Sequence, residues 1–130
     1  MTSPDREGRS GQRAILVVED HSAVRQFVTR VLQQAGFVIF EAANAAEGLK
    51  LLRMHGDSIV LAIVDMVMPD MSGLELAVEM ERARSGVSIL FTSGHVSSIA
   101  IEGLARNSPE RVLAKPFSEN ELLARVTALL

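Results

Sequence analysis

Two acidic groups stand directly behind short apolar runs. Glu19-Asp20 follows Ile15-Leu16-Val17-Val18, and Asp65 closes Ile59-Val60-Leu61-Ala62-Ile63-Val64. Runs so rich in Ile and Val read as strands covered on both faces, because a half-exposed strand alternates with polar positions. In a parallel α/β sheet the carboxyl ends of the strands open on the crevice where ligands bind, which puts these acids at a site. Alone, Asp65 reads first as a solvated strand end; its company reverses that reading. Three carboxylates in one crevice repel and raise one another's pKa, and a divalent cation resolves the conflict. Oxygen ligands with positions left for water and a phosphate suit Mg²⁺ better than Zn²⁺. Two further runs end in Thr92 and Lys115. A hydroxyl and an ammonium beside a metal are what the equatorial oxygens of a phosphoryl group require.

The elements that must hold these residues are legible in order. Met1 to Arg13 is polar, carries Pro4, Gly8 and Gly11, and reads as a disordered tail, leaving residues 14–130 as one domain. A strand from Ala14 to Val18 leads into a helix from Ser22, with Val24, Phe27, Val28, Val31, Leu32 and Ala35 on one face and Gly36 at its end. Phe37 to Ala42 is the second strand. Asn44 with Glu47 has the form of an N-terminal cap for a helix through Leu49, Leu51 and Leu52. After the central strand, Pro69 marks a loop, and Gly73 to Ala83 is a helix with Leu74, Ala77 and Val78 inward. Ser88 to Thr92 is the fourth strand, Ser97 or Ser98 caps a short helix through Ile99 and Leu104, and Arg111 to Ala114 is the fifth strand. Ser118 with Glu121 opens a final helix whose Leu122, Val126 and Leu129 face inward.

Strand and helix alternating five times predict an α/β fold: a three-layer, doubly wound, five-stranded parallel sheet of flavodoxin-like order 2-1-3-4-5. Its switch point lies between the first and third strands, the two that carry the acids.

Composition narrows the function. The formal charge is -3, only Lys50 and Lys115 are lysines, and the aromatic residues, 4%, are all Phe. That balance argues against a nucleic-acid surface. There is no cysteine, no run long enough for a membrane span and no secretion signal at the N-terminus, so the expectation is a cytoplasmic protein with no further domain attached.

Taken together, Glu19-Asp20, Asp65 with Met-Val-Met-Pro behind it, Thr92-Ser93-Gly94 and Lys115-Pro116-Phe117 resemble the receiver domain of two-component response regulators. The resemblance covers Ala14 to Leu130. It implies a phosphoacceptor switch, not a turnover enzyme, that takes a phosphoryl group from a histidine kinase or a histidine phosphotransfer protein. By that match Asp65 is the phosphoacceptor and Thr92 and Lys115 bind the phosphoryl oxygens. Glu19, Asp20, Asp65 and the backbone carbonyl of Val67 would hold Mg²⁺. Single-domain regulators and receivers of hybrid histidine kinases both fit.

One departure bears on output: Val112 stands where such receivers often carry an aromatic ring that moves on activation, so the surface of the fourth helix, fifth strand and fifth helix is expected to change little, or to change by backbone motion. Val67 and Gly94, two residues beyond Asp65 and Thr92, offer no group to orient an attacking water, which predicts a long-lived acyl phosphate. A phosphatase of the same architecture would want an acid or base where Val67 stands. A degenerate receiver that only binds would not need the five polar residues intact. His21, His55 and His95 lack metal-ligand spacing and read as solvated or loop histidines, with His21 and His95 flanking the crevice. Met66, Met68 and Met71 read equally as a soft contact surface or as loop and core packing, and Gly48, inside a helix, marks close packing.

Overall fold

The computed structural model describes residues 13–94 and 99–130. Within them run β1 (Ala14–Val18), α1 (Ser22–Gln34), β2 (Val38–Ala42), α2 (Ala45–His55), β3 (Ile59–Asp65), α3 (Gly73–Ala83), β4 (Ser88–Ser93), α4 (Ile99–Asn107), β5 (Val112–Ala114) and α5 (Glu119–Leu129). The strands form one parallel sheet in the order β2-β1-β3-β4-β5, the order expected. The predicted tail, except Arg13, and the predicted cap at Ser97 or Ser98 lie outside the described residues. Among those described, no helix is long and apolar enough to cross a membrane.

The two-residue period of a strand sorts the core into two layers. Ile15 and Val17 of β1 and Leu61 and Ile63 of β3 pack with Val28 and Leu32 of α1 and Leu122 and Val126 of α5. Leu16, Val18, Ala62 and Val64 point the other way, onto Leu49 and Leu52 of α2 and Leu76 and Met80 of α3. Both faces of β1 and β3 are therefore covered, which is why neither strand alternates with polar residues.

Two helix-face assignments and one histidine need correction. In α3 the inward positions are Gly73, Leu76 and Met80, with Leu74 and Ala77 at the margin, whereas Val78 is 53% exposed. At about 100° per residue, Val78 stands some 200° round from Leu76 and cannot share its face. In α1 the apolar stripe stops at Leu32. Ala35 is the exposed C-cap, and Gly36 turns the chain away with φ +100°. His55 is not simply solvated: its ring stacks on Phe40 with centroids 4.2 Å apart.

Two glycines answer to neighbours. A Cβ on Gly48 would lie 2.8 Å from Val18 Cγ2, so α2 reaches β1 only because that side chain is missing. A Cβ on Gly73 would lie 2.7 Å from the Asp65 carbonyl oxygen, and the Gly73 N–H donates to the Met66 carbonyl at 2.9 Å. The start of α3 is thereby seated directly on the end of β3.

Candidate functional site

Strand register carries the site residues to one rim. Asp65 is opposite Thr92 in the β3–β4 ladder, and the Lys115 N–H continues the β4–β5 pairing by donating to the Ser93 carbonyl at 2.8 Å. The Glu19 N–H extends the β1–β2 pairing by donating to the Ala42 carbonyl at 3.0 Å. Asp20, Asp65, Val67, Gly94 and Lys115, with His21, line a cavity of about 550 Å³ at this end of the sheet.

Inside that rim one ammonium holds two acids. Lys115 Nζ donates to Glu19 Oε1 at 2.8 Å and stands 3.3 Å from Asp65 Oδ2, all three side chains being largely buried. Glu19 Oε2 accepts the His21 N–H at 3.0 Å, and Asp65 Oδ1 accepts the Val67 N–H at 3.2 Å. Thr92 is 3% exposed and is brought beside Asp65 by the register. The Val67 side chain points to solvent, so only its backbone takes part.

The electrostatics follow from that arrangement. Burial first, and then the charge of Glu19, push the Asp65 carboxyl up from 3.8 to about 6, against the opposing pull of the Val67 N–H and Lys115. Burial also works to raise Glu19, but the bond from Lys115 and the His21 N–H outweigh it and hold Glu19 below its ordinary value. Burial disfavours the Lys115 ammonium, yet Glu19 and Asp65 more than compensate and raise it. At neutral pH the trio is therefore a strained set of two carboxylates around one cation.

Asp20 supplies the test of whether a metal ion fits. Its Oδ1 is buried and accepts no hydrogen bond; the His21 ring nitrogen Nδ1, 3.4 Å away, is near it. An anionic oxygen left so is costly unless something positive completes it. Glu19, Asp20, His21 and Asp65 each offer one donor atom, all within 4.8 Å of one another. The donor set fits a small divalent cation, with Glu19, Asp20 and Asp65 supplying oxygen.

The response regulator receiver domain family matches the chain over residues 15–127. The chain belongs to that family. It is 32% identical over 121 residues to the sensor kinase CckA of Brucella abortus, covering 93% of this chain and 13% of that protein. It is 38% identical over 117 residues to the uncharacterized transcriptional regulatory protein YrkP of Bacillus subtilis, covering 89% of this chain and 48% of that one. The chain thus spans half or less of these relatives. Among solved structures, the receiver domain of the hybrid histidine kinase CckA superposes with a TM-score of 0.72 at 30% identity, covering 90% of this chain and 98% of that one. Chemotaxis protein CheY4 of Vibrio cholerae does so with a TM-score of 0.78 at 28% identity, covering 92% and 100%. The receiver of two-component signalling, with its flavodoxin-like sheet, is accordingly what this chain is.

Some residues that shape the rim were not singled out by sequence. Arg25 in α1 donates from Nη1 to the Glu19 carbonyl at 2.7 Å and pairs through Nε with Glu41 at 3.3 Å, pinning the turn that carries the acids. Asp70 accepts from the Ala45 and Ala46 N–H groups, each at 3.1 Å, so the loop after the phosphoacceptor candidate also caps α2. The contact crosses from one βα unit to another, and no local spacing announces it. His21 was placed at the crevice edge, but its contact with both acids becomes visible only with the turn after β1 in three dimensions.

Proposed function

We propose that this receiver takes a phosphoryl group from a phosphohistidine onto Asp65 and signals by protein–protein contacts. The donor is a histidine kinase or a histidine phosphotransfer protein, and the acceptor chain acts as a switch without turnover. The observation that carries the reading is the Lys115 ammonium poised between Glu19 and Asp65 in the cavity that Asp20 also lines, the Asp20 Oδ1 accepting no hydrogen bond.

In the transfer, an Asp65 carboxylate oxygen attacks phosphorus, the P–N bond to the donor imidazole breaks, and the bonding pair leaves with that nitrogen. Val67 N–H fixes the Asp65 carboxylate, which limits the orientations available to the nucleophile. Lys115 keeps its proton throughout and faces the oxygens of the incoming group; Thr92 offers its hydroxyl to them from the neighbouring strand. Glu19, Asp20, Asp65 and the Val67 carbonyl would hold Mg²⁺, which supplies charge neutralisation for the phosphoryl oxygens when bound. Nothing at Val67 or in the exposed Gly94 resembles a base for hydrolysis, which supports a switch over a phosphatase. The net charge of -3 favours protein partners over nucleic acid, and a cytoplasmic place of action belongs to the same proposal.

Treatment with Mg²⁺ and acetyl phosphate, followed by intact mass spectrometry, tests the reading. One acid-stable, base-labile phosphate per chain is expected, absent in Asp65→Asn. Continuous phosphate release would instead indicate an enzyme, and no incorporation a pure binding module.

A further inference from the structure

We propose that His21 is a nitrogen ligand of this cation site, so that the site takes an imidazole-preferring divalent ion such as Ni²⁺ at least as tightly as Mg²⁺. The inference rests on reading the acid cluster as a cation site and adds a donor to it. His21 Nδ1 lies 3.2 Å from Glu19 Oε2 and 3.4 Å from Asp20 Oδ1. An octahedral ion with bonds of about 2.1 Å sets adjacent donors about 3.0 Å apart and opposite ones about 4.2 Å apart. Both imidazole contacts are close to the adjacent spacing, and no separation in the four-residue set exceeds 4.8 Å, so a shift of at most several tenths of an ångström reaches the opposite spacing.

Two further observations direct the ring to this role. Its own N–H on the backbone bonds Glu19 Oε2, which fixes His21 against the acid at 3.0 Å. His21 is also the N-cap of α1, yet its side chain makes no capping hydrogen bond, so the helix does not claim the imidazole. Carboxylates alone favour hard ions. One imidazole among them moves preference along the series in which Ni²⁺ exceeds Co²⁺ and Mn²⁺, while Mg²⁺ gains little from nitrogen.

Calorimetric titration of the full chain with Mg²⁺ and, separately, Ni²⁺ tests this in wild type and His21→Ala. The ring is 70% exposed, so the variant should fold, and circular dichroism verifies it. A lost ligand should cost Ni²⁺ at least the ~10-fold seen when outer-shell partners of a metal site are removed, while Mg²⁺ affinity changes less than about twofold. Saturating Ni²⁺ should abolish the Mg²⁺ binding isotherm of wild type. If His21→Ala weakens both ions alike, the ring only hydrogen-bonds Glu19 and the proposal falls; it falls equally if neither ion is affected or if Mg²⁺ still binds stoichiometrically to the Ni²⁺-saturated protein. Failure of wild type to bind Mg²⁺ at all would sink the underlying site reading instead.

Discussion

Neutralising Asp65 should make this protein more stable at neutral pH, because the fold holds that carboxylate at a cost. The side chain is 5% exposed, and its pKa is pushed from 3.8 to about 6 by burial and by Glu19. A carboxyl raised in the folded state binds its proton more tightly there than in the unfolded chain. Stability is therefore lost as pH rises from 3.8 through 6, and the loss levels off above that. At ~1.36 kcal/mol per pH unit the gap amounts to ~3 kcal/mol, with no discount for solvent at so buried a group. Asp65→Asn removes the ionisation and keeps an oxygen to accept the Val67 N–H, while Lys115 keeps Glu19 as partner. Urea denaturation should thus show the variant more stable by ~3 kcal/mol at about pH 7.5, by roughly half that at about pH 5, and by little at about pH 4. Saturating Mg²⁺ should narrow the difference at the highest pH by stabilising wild type selectively. A variant no more stable than wild type at neutral pH, or a gain that does not shrink on acidification, would refute the electrostatic account.

Gly48→Ala sets propensity against packing: helix propensity alone promises ~1 kcal/mol of gain, but the new Cβ would lie 2.8 Å from buried Val18 Cγ2. Overpacking of ~1–3 kcal/mol should win, and a raised melting temperature would show that Val18 yields freely. Asp70→Ala should cost about 0.5–1 kcal/mol through loss of the α2 cap. The bonds from Ala45 and then Ala46 hold the Asp70 carboxyl below its ordinary value, so its contribution is present above 3.8 and fades as acid takes the pH through the lowered pKa. Comparison of wild type and variant melting at neutral and acid pH checks both statements. A phosphoryl mimic should shift the amide signals of residues 99–112 little, since buried Val112 has no ring to swing; large shifts would show coupling through the backbone. The acyl phosphate should persist after donor removal, and decay within seconds would contradict the lack of a water-orienting group at Val67 and Gly94.

The sequence by itself determined the five strands and which residues stand at the rim. Those features are written in local signals: double-sided apolar runs fix the buried strands, capping residues such as Asn44 and Ser118 fix helix starts, and polar types at strand ends name the site. In α3 the spacing turned Leu74, Ala77 and Val78 inward, and only contact with the sheet shows Leu76 and Met80 buried and Val78 outside. The tertiary structure alone decided that Lys115 bonds Glu19 more closely than Asp65, that His21 meets two acids, and that Asp70 caps a helix 24 to 25 residues away. Such contacts join residues from different strand-helix units, and their distances depend on how the turns beyond the strands fold back; periodicity encodes which residues reach the rim, not how they pair once there.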